Sequence, residues 1–269
     1  MKTINFITDS KNKFGLGNYI RIKNLYNFFK KKNKKYKLVF TDLSQKTNFV
    51  LSDIIVFDLP KAKYSYFKLK RFFFKTHTKI FSLDHSQPWK VDYNISIFKK
   101  NIKAKKNFVS LKYVIIAPKL QKRRSNSKEN KIFISIGSRD LKNIKPKLVK
   151  VFKGLFEKIY VTKRLDIKKN SAQNFNYCKN LSNCSISASN GGTTMLELLY
   201  HRKIIFVYPQ NSDELSFSNY IKKKGFRILI NEFSINKKLI DKLKLLKQKK
   251  LVIDNKGIHR IKKIILTNQ

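Results

Sequence analysis

The chain has 269 residues, enough for two domains of about 100–150 residues each. Hydrophobic residues make up 42% and aromatics 13%, which excludes a disordered chain, and the absence of any run of about 18 apolar residues excludes a membrane-crossing helix. The net charge of +45 calls for either an anionic partner or a compositional explanation.

The pattern along the chain alternates strand and helix. A strand over 4–8 leads into the glycine-bearing turn Phe14-Gly15-Leu16-Gly17. A helix follows, with Ile22, Leu25, Tyr26 and Phe29 at the spacing of one buried face. Short apolar strands are predicted at 38–40, 54–57 and 80–83, with further strands near 95–98 and 114–116. Their unalternating hydrophobicity suits a parallel sheet covered on both faces.

The stretch 119–130 is polar, charged and without periodicity, as a linker is. Alternation then restarts: strand 132–136, helix 148–156, strands 159–161 and 185–188, and a helix from Thr193. Strand 204–208, helix 215–224, strand 227–230 and an amphipathic segment 257–266 close the chain. The pattern therefore predicts an α/β protein of two doubly wound, Rossmann-like domains facing a cleft. The first covers 1–122, a linker 123–130, the second 131–255, and a closing helix 256–269 is placed to pack back on the first domain. Ligands of such sheets bind at the carboxyl ends of strands.

Two turns there could hold an anion. The segment Ser189-Asn190-Gly191-Gly192-Thr193-Thr194-Met195-Leu196-Glu197 follows a strand and opens a helix. Its glycines allow close backbone approach, and N–H groups at a helix start attract a diphosphate. Thr193 and Thr194 can cap the helix or give hydroxyls to phosphate, and Glu197 can accept from a ribose hydroxyl. The competing reading is an ordinary strand-to-helix turn with a Thr194–Glu197 capping box. The first turn, with Gly15, Gly17, Asn18 and Arg21, is weaker, because no third glycine follows at dinucleotide-binding spacing. Arg21 in the first helical turn opposes the helix dipole, which suggests a ligand-facing or salt-bridged role.

Taken in order, these segments resemble the UDP-sugar hydrolases of pseudaminic acid biosynthesis and the SpsG-like spore-coat polysaccharide proteins. The family's G-x-G-H-x-x-R start is similar to Gly15, Gly17, Asn18 and Arg21; its acidic strand ends resemble Asp58 and Asp84-His85. Its G-x-x-Y-x-L-x-P segment resembles 111–118, its V-S-F-G-G-x-D turn resembles Ile134-Ser135-Ile136-Gly137-Ser138-Arg139-Asp140, and its G-G-[ST]-T-x-x-E box matches Gly191 to Glu197. Gly257 and Arg260 resemble its G-x-x-R ending.

The resemblance implies a GT-B architecture with UDP held by the second domain and no metal or other cofactor. It implies cleavage of a UDP-activated sugar at its anomeric carbon, to water or to a sugar or lipid-linked acceptor. Two positions depart from it. The family's turn histidine is Asn18 here, which cannot take a proton at neutral pH. The family's Asn-Gln pair falls at Asp213-Glu214, where carboxylates would repel a diphosphate or hold sugar hydroxyls. Asp58, Asp84 and His85 are then the substitute catalytic candidates, with Asp9 behind them.

The charge reads more blandly. Lys outnumbers Arg 52 to 9 and Ala occurs five times, the skew of an AT-rich coding sequence, whereas nucleic-acid readers lean on Arg. Contact of Lys30–Lys35 and Lys99–Lys106 with an acidic membrane surface is a modest alternative. Cys178 and Cys184 agree with a reducing compartment, the four histidines show no zinc spacing, and the start lacks a signal peptide pattern, so a cytoplasmic place is expected. The other functional classes are a UDP-sugar-binding homologue that has lost catalysis and, remotely, a polyanion binder.

Overall fold

The structure, a computed structural model, describes residues 1–10, 17–32, 35–45, 50–59, 66–84, 89–100, 103–121, 130–136, 140–162, 177, 179–181, 183–245 and 253–269. The expectations placed on Gly15, His85, Gly137, Ser138 and Cys178, and on nearly all of the 123–130 linker, lie outside these residues. The chain divides into two compact units, Met1–Ala117 with Val252–Gln269, and Pro118–Leu251.

The first unit carries a six-stranded sheet in the order β2-β1-β3-β4-β5-β6. Its strands are β1 (Thr3–Thr8), β2 (Lys37–Asp42), β3 (Ser52–Asp58), β4 (Phe74–Leu83), β5 (Val91–Ser96) and β6 (Ala104–Val109), and every pairing is parallel. Side chains alternate across this sheet. On β3, Ile54 and Val56 join one buried cluster, while Ile55 and Phe57 join the other. Burial on both faces is why the strand reads as a continuous apolar run.

Helix α1 (Gly17–Lys32) lays Ile22, Leu25 and Phe29, all fully buried, against the first of these faces. Helix α2 (Tyr66–Phe73) supplies Leu69 and Phe73 to the other. The closing helix, Gly257–Thr267, places Ile258, Ile261 and Ile265 in the same cluster as α1. Each of those isoleucines contributes about 1.5–3 kcal/mol of burial. A β-carbon on Gly257 would lie 2.0 Å from the Val114 carbonyl oxygen, so only glycine permits this approach. Polar pairing also crosses the sheet. Ser82 Oγ donates to Asn94 Oδ1 at 3.1 Å, and Asn94 Nδ2 donates to Asn107 Oδ1 at 3.0 Å, joining β4, β5 and β6 at matched register.

The second unit holds a five-stranded parallel sheet in the order β11-β10-β9-β7-β8. Its strands are β7 (Lys131–Ser135), β8 (Lys158–Val161), β9 (Ile186–Ser189), β10 (Ile204–Val207) and β11 (Ile228–Ile230). Helices α3 (Ile144–Phe152) and α6 (Lys237–Leu245) bury Leu148, Phe152, Ile240 and Leu243 on one face. Helix α4 (Thr193–Tyr200) follows β9, and α5 (Ser212–Lys223) follows β10; the closing helix is α7. Phe133, Ile205 and Val207, which alternate with that face, are fully buried too.

Several expected boundaries shift. The strand expected at 114–116 does not form: Leu111–Tyr113 is a 3-10 turn capped by the Ser110 side chain, and Val114, Ile115 and Ile116 are buried outside any strand. The sixth strand is the lysine-bearing β6 instead, a sheet edge with exposed Lys105 and Lys106. Helix α3 ends at Phe152, before Gly154 at φ +84°. Helix α5 starts at Ser212 because the Asn211 side chain accepts from the Glu214 N–H. Helices α2 and α6 were not anticipated. Among the described residues, no helix is long and apolar enough to cross a membrane.

Candidate functional site

The expected site residues fall into two groups, one in each unit, both at carboxyl ends of parallel strands. In the first unit, β3 ends at Asp58 and β4 is followed by Asp84, while α1 brings Asn18 and Arg21 toward them. Arg21 Nε and Nη2 donate to the two oxygens of Asp58 at 2.7 and 2.9 Å. Its Nη1 lies 2.9 Å from Asp84 Oδ2, and Asn18 Nδ2 donates to Asp58 Oδ1 at 2.6 Å.

Asp84 has a left-handed backbone, φ 46°, rare for a residue with a side chain. That turn lets its N–H donate to Ile95 O and its Oδ1 accept from Ile97 N–H, fastening the end of β4 to the end of β5. Burial opposes the Arg21 charge, but the Asp58 and Asp84 carboxylates outweigh it and raise its pKa. Burial pushes the Asp58 pKa up, while the Arg21 fork and the Asn18 amide pull it down.

The structure therefore brings Asn18, Arg21, Asp58 and Asp84 together as one network. Asp58 is fully buried with both oxygens engaged, an arrangement that positions Arg21 and is ill suited to accepting a proton from water. Gly17 is the first residue of α1. Beside the network, Asp42 at the end of β2 accepts from Ser10 N–H, Ser44 N–H and Ser44 Oγ at 2.8–3.1 Å. Burial would raise the Asp42 pKa, yet these donors lower it. Sequence reasoning passed over Asp42, although its place directly after an apolar strand is the same signal that drew attention to Asp58.

In the second unit the β9–α4 turn is built by glycine for an internal reason. A β-carbon on Gly191 would stand 2.5 Å from the Glu214 carbonyl oxygen and 2.6 Å from Ser218 Oγ. What approaches the Gly191 backbone closely is thus α5. The N-cap of α4 is Gly192, with no side-chain cap, so neither Thr193 nor a Thr194–Glu197 box caps the helix. Thr193 and Thr194 form its half-buried first residues.

Glu197 is buried, and the Tyr177 hydroxyl donates to its Oε2 at 2.9 Å. Burial pushes the Glu197 carboxyl up to about 7, the Tyr177 hydrogen bond pulling the other way. Asp213 is exposed in the first turn of α5. Glu214, next to it, turns inward. Its Oε1 accepts from Asn190 Nδ2 at 2.5 Å and its Oε2 from Gln210 N–H at 2.8 Å, and the Gly191 backbone amide also hydrogen bonds the carboxylate. Burial raises its pKa against these donors and the nearby Lys142 charge. Asn190 and Gln210 were missed from sequence, and only their adjacency to the glycine pair and to the end of β10 could have marked them.

Among the described residues no cluster of His, Cys, Asp and Glu is arranged to hold a metal ion. No protein-family model and no curated protein matches the chain. Solved structures do. The chain is similar to MurG of Acinetobacter baumannii, with a TM-score of 0.53 at 8% identity, over 99% of this chain and 100% of that one. It is similar to the glycotransferase of kitacinnamycin, with a TM-score of 0.53 at 7% identity, over 99% and 95% of the two chains. The wall teichoic acid polymerase TagF aligns with a TM-score of 0.52 at 12% identity, over 99% and 89%. With its two parallel-sheet α/β units, the chain has a GT-B-like fold.

Proposed function

We propose that the protein processes a nucleotide sugar, breaking the bond between the anomeric carbon and UDP as a glycosyltransferase or a divergent UDP-sugar hydrolase. The observation that supports this reading most is the β9–α4 turn, where Gly191, Gly192, Thr193 and Thr194 open a helix at the carboxyl edge of a GT-B-like unit. Two of the similar structures are, by name, a glycotransferase and a wall teichoic acid polymerase. The motif order that resembles pseudaminic-pathway hydrolases and SpsG-like proteins adds surface polysaccharide or nonulosonate synthesis as the setting.

In this reading Gly15, Gly17, Gly137, Ser138 and the Gly191–Thr194 turn hold the UDP-sugar, with Asp213 facing hydroxyl groups. Arg21, fixed by Asp58 and Asp84, carries positive charge beside the sugar side. Asp84, which is a quarter exposed, and His85 are the groups left to accept a proton, since Asn18 cannot and Asp58 is fully buried. Glu197 takes part by exchanging the Tyr177 hydroxyl for a ribose hydroxyl, because both are O–H donors to one carboxylate oxygen.

A second reading, a UDP-sugar-binding homologue without catalysis, draws on Asn18 donating its amide to Asp58 where the family it resembles has a histidine. UDP release from a panel of UDP-sugars, with and without acceptor sugars, separates the two. Release that is lost in Asp84→Asn supports an enzyme. UDP binding with no release from any substrate supports the binding protein, and neither binding nor release removes both readings.

A further inference from the structure

The donors of the β9–α4 and β10–α5 turns already have an anion: the carboxylate of Glu214. Three N–H groups converge on it, from Asn190 Nδ2, Gln210 N and the Gly191 backbone, and Lys142 adds positive charge nearby. Such a set of backbone and amide donors, two of them from the turn before a helix whose own N-cap is a glycine without a side chain, is what a phosphate oxygen would take. Glu214 reaches it because Asn211 caps α5 and the Gly191 backbone, bare of a β-carbon, lets the α5 backbone close in.

We infer that Glu214 is a built-in occupant of this anion-binding turn, which a diphosphate-bearing ligand can use only by displacing the Glu214 carboxylate. The inference rests on the turn being the phosphate end of the proposed nucleotide-sugar site, and it makes Glu214 the residue that sets how strongly that end selects its ligand. A ligand that reaches only the sugar side meets no such competition. One bearing a full diphosphate must take over the same donors while the carboxylate moves to solvent, where hydration compensates it.

The consequence runs opposite to that of an ordinary ligand-contacting residue: neutralising Glu214 strengthens binding. In Glu214→Gln the charge is lost and one acceptor oxygen becomes an NH2 that faces a donor it cannot satisfy, so the side chain holds the turn less firmly. In Glu214→Ala, the donors are vacated outright. The test measures inorganic pyrophosphate and UDP binding to the full chain by calorimetry, for the wild type and both variants, with thermal melts to establish that each is folded.

Tightening of pyrophosphate by about tenfold or more in either folded variant is expected, the scale of one charge-assisted hydrogen-bond exchange. Unchanged or weaker pyrophosphate binding overturns the inference, as does absence of pyrophosphate binding in all three proteins. If pyrophosphate tightens while UDP binds none of them, the internal anion stands and the UDP reading falls. If the wild type releases UDP from a sugar donor yet neither variant binds pyrophosphate or UDP more tightly, the UDP reading stands and the inference falls.

Discussion

Arg21 grips both carboxylate oxygens of Asp58, at 2.7 and 2.9 Å, from a helix that begins after β1 to a strand that ends 37 residues later in the chain. A planar guanidinium is suited to this two-point contact, and a lysine ammonium would make only one of the bonds.

Removing Asp58 takes two bonds from Arg21, which is largely buried and keeps only the Asp84 carboxylate, while removing Arg21 leaves the fully buried Asp58 without its charge partner. Asp58→Asn is expected to lower stability by about 3–5 kcal/mol, the usual cost of breaking a buried ion pair from one side. Asp84→Asn is expected to cost less, since Asp84 is a quarter exposed and meets Arg21 through one nitrogen. Urea unfolding with unchanged slope checks both. Equal losses would show that Asp58 does not anchor the network.

Glu197 sets a pH dependence of stability. Its pKa is about 7 in the folded protein against 4.5 ordinarily, so the folded state holds its proton through a range where the unfolded chain releases it. The cost of ionising it is absent below pH 4.5 and fully present above pH 7. Stability is therefore expected to fall by about 3 kcal/mol as pH rises across that window. Asp42 acts in the opposite sense, its lowered pKa giving stability that is lost as pH falls below the ordinary 3.8. Glu197→Gln should flatten the slope between pH 4.5 and pH 7 in denaturant titrations while leaving the acid limb intact. A slope unchanged in that variant would assign the effect elsewhere.

Three glycines should rank by what a β-carbon would meet. Gly257→Ala sets a carbon 2.0 Å from the Val114 carbonyl oxygen and 2.8 Å from its carbon, both backbone, so the start of α7 must move away from Val114. Gly191→Ala meets Glu214 O at 2.5 Å and Ser218 Oγ at 2.6 Å, the second a side chain that can turn. Gly154→Ala meets nothing within 4 Å and loses only through its φ of +84°, about 1 kcal/mol. The expected order of destabilisation is Gly257, Gly191, Gly154, with the first two at or above the 1–3 kcal/mol typical of overpacking. Thermal melts of the three variants check it, and a Gly154→Ala loss equal to that of Gly257→Ala would contradict the packing.

The α/β character and the two-unit division were legible because buried parallel strands announce themselves as short isoleucine- and phenylalanine-rich runs such as 54–57 and 204–207. β6 was not, because an edge strand buries little and its lysines disguise it; Val114–Ile116 was misread because burial beneath α7 produces the same apolar run as pairing does. The candidate residues Asn18, Arg21 and Asp58 could be named from sequence, but their mutual bonds could not, since nothing local says that Arg21 would face carboxylates rather than ligand. The inward turn of Glu214 was hidden for the same reason. A carboxylate in a first helical turn usually faces water, and only the close approach of α5 to Gly191 directs it otherwise.

The Ser82–Asn94–Asn107 ladder bears on alignment during folding. Strands β4, β5 and β6 pair in parallel with about seven residues between successive strands, too few for a crossover helix that would hold them in place. A slip of one residue would be rejected by the alternation of inward and outward faces. A slip of two would preserve that alternation, and the apolar pattern alone would tolerate it. It would, however, separate Ser82 from Asn94 and Asn94 from Asn107, stranding amides in the sheet interior. The ladder thus acts as a key that admits a single threading of these three strands.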